Sequence, residues 1–216
     1  MGLKRKDKLI LLRTMVDLET GAINESAFDW ENLLYYKAVQ KKSLDRRIYN
    51  CRLCDGLNIK RCTDSCSGWG DLNAKVFFIG QSLHKLGILS DLPFIKGSGY
   101  LLDAALHLSG LLRKDVFITN AVHCHPLSNR GSTDEEKKNC LQSLRAEIKI
   151  VCPKLIVALG NDAQWATAQL RLETWLFENK IRTLLVKHPA SFLHSAPEDS
   201  IEWIVKLSNE IDKVYK

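Results

Sequence analysis

The chain has 216 residues, 45% hydrophobic and 26% charged, which suits one α/β domain with a modest extension and leaves little room for two full domains. No apolar run approaches the roughly 20 residues that a bilayer span requires, so no membrane association is expected. Thirty-one Lys and Arg against 25 Asp and Glu leave a net charge of +6, compatible with a polyanionic partner, and seven cysteines with CxxC spacing fit metal ligation or redox chemistry better than a secreted disulfide framework.

Met1 to Arg13 carries basic residues around a short apolar patch, Leu9–Leu12, and no small-residue cleavage site follows it, so a cytosolic-type, cytoplasmic protein is expected, with organelle import as the alternative. Residues 1–50 read as a helical N-terminal extension, with a helix expected over Trp30–Lys41, where apolar positions recur at helical spacing. Residues 51–73 form a Cys- and Gly-containing stretch without a clear period and read as loop. Ala74–Gly80 is a short apolar run ended by glycine, the pattern of a buried strand, and similar runs recur at Asp115–Val122, Lys154–Gly160 and Arg182–Lys187.

Helical patterns separate these runs. Gly99–Leu112 suits one helix, and Thr133-Asp-Glu-Glu136 is a capping box that opens another running towards Val151. Asn161 or Asp162 can cap a third, and a C-terminal helix is expected from about Glu198. Strands alternating with helices predict a mostly parallel sheet with helices on both faces, because a parallel crossover needs a connection of that length. Ligands then bind at the carboxyl ends of the strands, here Gln81–His84, Asn120–His125, Asn161 onward and His188–Ser191.

Cys51 and Cys54 have the CxxC spacing that brings two thiolates to one metal centre; Cys124 follows a predicted strand and Cys140 lies in the next helix. Soft sulfur ligands favour zinc or an iron–sulfur cluster, and spacing does not choose between them. A local rival set, Cys51, Cys54, Cys62 and Cys66, has the makings of a small zinc knuckle.

The ordered motifs CRLC with Leu57 and Arg61 after it, VFFIGQSL, LPFIKGSGYLLDAAL, GLLRKDVFITNAVHCHPLSNR, Cys140, PKLIVALG and HPASFL resemble the iron–sulfur (family 4) uracil-DNA glycosylases of the uracil-DNA glycosylase superfamily, over roughly residues 51–207. Rhythm and resemblance together give an α/β fold over 51–216, a three-layer α/β/α domain with a central, mainly parallel four-stranded sheet. The resemblance implies a DNA glycosylase that hydrolyses the N-glycosidic bond of uracil or a related deaminated base in base excision repair, acting on DNA as a monomer. It also implies a 4Fe-4S cluster on Cys51, Cys54, Cys124 and Cys140, with a structural role, and leaves Cys62, Cys66 and Cys152 as small buried or incidental thiols.

By the same resemblance Phe94 is the stacking aromatic and Asn120 the pyrimidine-reading amide, while His188 bonds the uracil carbonyl as negative charge develops. Gly80, Gln81 and Ser82 complete the base pocket; Arg130, Lys187 and Ser191 are phosphate contacts, and Lys4, Arg5, Lys6 and Lys8 offer further ones. One motif departs from the family. Typical iron–sulfur members read Gly-Glu-Ala-Pro-Gly where this chain has Gly80-Gln81-Ser82-Leu83-His84. The carboxylate's task then falls to Gln81 as a water-positioning amide, to His84, or to Asp91 in the adjoining segment. The alternative is a catalytically weak or inactive iron–sulfur DNA-binding protein of the same fold.

Overall fold

A computed structural model describes residues 30–84, 93–94, 97–171 and 179–215. Asp91 and the basic residues Lys4, Arg5, Lys6 and Lys8 lie outside the described residues. The elements in chain order are α1 (Trp30–Tyr49), β1 (Trp69–Gly70), β2 (Val76–Ser82), α2 (Gly99–Leu108), β3 (Phe117–Val122), α3 (Asp134–Val151), β4 (Leu155–Leu159), α4 (Asn161–Arg171), β5 (Arg182–Val186) and α5 (Pro197–Tyr215).

The sheet order is β1-β3-β2-β4-β5, and β2 pairs in parallel with both β3 and β4, which places the chain's change of direction at β2. The four expected strands are all parallel. A fifth is added: Trp69 and Gly70 pair antiparallel with Ile118 and Phe117, inside the stretch read as loop. Two residues are too few to show a period. Gly70 sits at φ +133°, and a Cβ there would run into the carbonyl of Val116.

Alternation within the strands builds two cores. Phe77, Ile79, Phe117, Ile156 and Ala158 meet Leu144, Ile148 and Val151 of α3 and Ala163, Ala166 and Leu170 of α4. Val76, Phe78, Ile118, Leu155 and Val157 turn the other way, against Leu102, Ala105 and Leu106 of α2 and Trp203, Leu207 and Ile211 of α5. Every strand side chain of β3 and β4 is buried, so the runs read as continuously apolar rather than alternating. The result is the expected three-layer sandwich.

The capping box forms as written in the sequence. Thr133 Oγ1 accepts from Glu136 N–H at 3.2 Å, and Glu136 Oε2 accepts from Thr133 N–H at 2.8 Å. Helix α2 stops at Leu108, not Leu112, because Gly110 takes φ +71° and its N–H and that of Leu111 turn back to the carbonyls of His107 and Leu106. Helix α1 runs to Tyr49, past the expected Lys41, since Leu44 and Ile48 pack on Ile150 of α3. Lys37 Nζ also donates to the Val151 carbonyl at 3.0 Å, placing a cation at the C-terminal end of α3. Among the described residues no helix is long and apolar enough to cross a membrane.

Candidate active site and cysteine cluster

The carboxyl ends of the parallel strands surround a cavity of about 340 Å³ lined by Gln81, Ser82, His84, Phe94, Asn120 and His188, together with Gly97, Ser98, Asn129 and others. Sequence segments far apart are therefore brought to one place by the topology. Gly80 ends the buried part of β2 opposite Asn120 in the parallel register, and its missing side chain is what lets the neighbours close in. A Cβ there would lie 2.5 Å from Asn120 Oδ1 and 2.6 Å from Phe94 Cζ. Asn120 is only 4% exposed.

Phe94 stands at φ +58° with its ring 5.6 Å from that of His188, the planes inclined by 26°. Its backbone is fixed by Arg113, which the sequence did not single out. Arg113 Nη1 donates to the Pro93 carbonyl at 3.1 Å and Nη2 to the Phe94 carbonyl at 2.6 Å, while Asp103 pairs with the same guanidinium. Arginine between a helix and a strand carries no motif signal; its fork becomes meaningful only when the loop folds over it.

His188 follows β5 and opens a short 3₁₀ turn, Pro189–Phe192. Its Nδ1 accepts the Ala190 N–H at 3.1 Å, so a neutral ring carries its proton on Nε2. Burial holds its pKa below the usual histidine value, which favours that neutral form. Gly160, at φ +82°, leaves the space: a Cβ there would lie 2.9 Å from His188 Cβ. His84 is likewise pushed down, by burial and by His125. Among the described residues the cavity wall holds no carboxylate, and His84 and His188 are its ionisable side chains.

Lys187 and Ser191 are exposed and line an adjoining groove of about 890 Å³ between β5 and α5; Trp203 Nε1 holds the Lys187 carbonyl at 3.1 Å. Arg130 stands apart from them. It makes a two-armed pair with Glu136 at 3.0 and 2.5 Å, so the capping-box carboxylate also anchors the loop that brings Asn129 to the cavity.

The segment 51–66 folds back along residues 123–125. Cys66 N–H donates to the His123 carbonyl at 2.8 Å, His125 N–H to the Asp64 carbonyl at 3.0 Å, and Ser65 bridges Cys124. Asn58, at φ +57°, donates to the carbonyls of Tyr49 and Cys51, both at 2.9 Å, and sets the turn that starts the CxxC pair. Cys54, Cys124 and Cys140 then gather around Leu57 and Val122. Asn139 donates to Cys54 Sγ at 3.4 Å.

Burial and the neighbouring Cys140, Cys51 and Cys54 push the Cys124 thiol up to about 12; burial does the same to Cys54, with Cys140 and Cys51 adding to it. Four thiols thus feel one another, although among the described residues no three Cys, His, Asp or Glu side chains close on a metal-ion position. The local rival set is not assembled in this way: Cys62 is exposed, and neither it nor Cys66 is among the thiols that act on Cys124. Cys152 lies beyond the far end of α3, in a left-handed cap, with its thiol bonded to Asn179.

Comparison with known proteins gives a consistent picture. The family model described as uracil DNA glycosylase superfamily matches residues 67–211. A type-4 uracil-DNA glycosylase of Archaeoglobus fulgidus is 32% identical over 171 residues, covering 71% of this chain and 84% of that protein. One from Thermotoga maritima is 35% identical over 130 residues, covering 60% and 67% respectively. A type-5 uracil-DNA glycosylase of Pyrobaculum aerophilum is 37% identical over 117 residues, 47% of this chain and 51% of that one.

Proposed function

Because the chain belongs to the uracil DNA glycosylase superfamily and has type-4 enzymes among its relatives, we propose that it removes uracil from DNA by hydrolysing the N-glycosidic bond. The observation that carries the reading is the convergence of Phe94, Asn120 and His188 on one cavity, with the His188 Nδ1 already occupied. A cavity of about 340 Å³ accepts one flipped pyrimidine. The Phe94 face takes the ring, and the Asn120 amide accepts from the uracil N–H while donating to a carbonyl, a pattern cytosine does not offer.

Water adds to C1′ as the C1′–N bond breaks, the bonding pair leaves with the base, and the proton that the water sheds ends, through solvent, on the uracil anion. His188 Nε2–H donates to the carbonyl oxygen on which that charge gathers, and a neutral donor serves because the proton stays on the ring. Gln81 and His84 are the groups at the cavity that take over water orientation where typical members have a carboxylate; Asp91 remains a candidate for the same task. Lys187 and Ser191 receive the flanking phosphates, whereas Arg130 acts on the Asn129 loop through Glu136 and not as a free phosphate clamp.

Cys51, Cys54, Cys124 and Cys140 fit a 4Fe-4S cluster: four soft donors, three of them gathered around Leu57 and Val122, with one sulfur already accepting an N–H. When bound, the cluster supplies a covalent tie between segment 51–66, the end of β3 and α3, and hydrolysis uses none of its electrons. The protein acts as a cytoplasmic monomer, with residues 1–50 as an extension of the domain spanning 51–216.

Release of free uracil from a uracil-containing oligonucleotide, followed by alkaline strand cleavage, tests the activity. Loss of release in His188→Ala with DNA binding retained is the expected result. No turnover by the unaltered protein at high enzyme excess refutes it, and restoration of release by Gln81→Glu in that case identifies the weak, DNA-binding alternative.

A further inference from the structure

Gln81, Ser82, Leu83 and His84 line the cavity, yet the ladder between β2 and β3 ends at Ser82 and Val122. Beyond that point the chain leaves the sheet. Leucine at position 83 has no ring to lock φ, so the course of the turn is set by whatever binds its backbone. Leu83 is buried, and a buried carbonyl requires a donor. His125, also buried, supplies one: its Nδ1 lies 2.8 Å from the Leu83 oxygen, across 42 residues of chain. A carbonyl only accepts, so Nδ1 carries a proton.

The histidine is itself fixed by the cysteine-bearing segment. Its backbone N–H donates to the Asp64 carbonyl at 3.0 Å, and Cys66 N–H donates to the His123 carbonyl at 2.8 Å. Residues 64–66 therefore run antiparallel to 123–125, with Ser65 opposite Cys124. Asp64 is held in turn through its own side chain, whose Oδ2 accepts from Arg61 N–H at 2.7 Å. One imidazole thus spans from the stretch that follows the CxxC pair to the turn at the cavity. The Leu83–His84 peptide is planar, so holding its oxygen fixes the plane from which the chain enters His84.

We propose that His125 is a positioning residue for base excision: its Nδ1–H holds the Leu83 carbonyl and so sets the Gln81–His84 turn against the flipped nucleotide. This rests on the glycosylase reading above. Among the described residues His125 is not part of the cavity wall, so it acts through the turn and not on the base. An apolar side chain in its place leaves the Leu83 oxygen buried and unpaired, and the turn moves to find another donor. A shift of about 1 Å in a positioning group costs about 10²-fold in rate.

The experiment measures single-turnover uracil release and affinity for a uracil-containing oligonucleotide in wild type, His125→Leu, His125→Asn and His125→Gln. The amide nitrogen of asparagine stands as many bonds from Cβ as Nδ1 does, and that of glutamine as many as Nε2. The pair therefore separates the position of the donor from polarity alone. His125→Leu and His125→Gln are expected to release uracil about 10–100-fold more slowly with DNA affinity unchanged, and His125→Asn to recover most of the rate. Equal rates in His125→Asn and His125→Gln, or rate and affinity falling together, overturn the inference, because a packing role accounts for either. If His125→Leu fails to fold, the comparison of asparagine with glutamine decides by the same criterion. Wild-type protein that releases no uracil overturns the inference together with the glycosylase reading, whereas active wild type with the asparagine and glutamine variants alike overturns the inference alone.

Discussion

Gly80→Ala adds one methyl group to the floor of the cavity and nothing else. Gly80 is not among the glycines at positive φ, so alanine meets no backbone penalty. The new Cβ would stand 2.6 Å from Phe94 Cζ and 2.5 Å from Asn120 Oδ1. Carbon atoms rest at about 3.5–4.0 Å, so the ring must retreat by about 1 Å and the Asn120 amide must turn aside. The Asn120 backbone is held in a strand paired to Gly80 itself, so only its amide can turn, while Phe94, on its loop, moves against the Arg113 clamp. Overpacking of this size costs about 1–3 kcal/mol, and a 1 Å misplacement of a substrate-positioning group costs about 10²-fold in rate. Single-turnover uracil release should therefore fall about 100-fold, equivalent to roughly 2.7 kcal/mol of activation free energy. Melting temperature should drop only about 2–4 °C per kcal/mol of strain. In a Phe94→Ala background the same methyl should cost far less, because the ring it strikes is gone. A Gly80→Ala enzyme within threefold of wild type would refute the idea that Phe94 and Asn120 jointly shape the pocket.

Arg113→Lys keeps the charge but loses the fork that binds two carbonyls and Asp103, so base release should fall at least tenfold with no rescue relative to Arg113→Ala; kinetics of both variants check this. Because burial lowers the His188 pKa, the neutral donor persists below the ordinary value of about 6.5, and protonation at Nδ1 would set two N–H groups against each other. The single-turnover rate should stay flat as pH falls to about 6.5 and decline only at lower pH; an acid limb above that value contradicts the assignment. Serine at Cys51, Cys54, Cys124 or Cys140 should abolish iron and visible absorption, while Cys62→Ser and Cys152→Ser should retain both, as read by iron analysis of each purified variant.

Much of the scaffold was legible in the sequence because it is locally encoded. The apolar runs of β2 to β5 and the Thr133–Glu136 box specify their elements through nearest neighbours, and the motifs around Gly80, Asn120 and His188 fall where strands end. Boundaries shifted where a longer-range contact took over. Leu44 and Ile48 prolong α1 only because Ile150 is there to cover them, and β1 exists only because β3 offers an edge to Trp69 and Gly70.

The sequence by itself determined the family, the strand–helix rhythm and the chemical types available at the site, since these depend on residue identity and spacing along one dimension. Only the tertiary structure decided which groups meet. It placed Arg113 under Phe94, gave the His188 Nδ1 to Ala190, tied Arg130 to Glu136 and paired His123 with Glu147. Several of these partnerships join residues far apart in the chain, 19 apart for Phe94 and Arg113 and 86 apart for Leu53 and Asn139, and no local pattern carries that information.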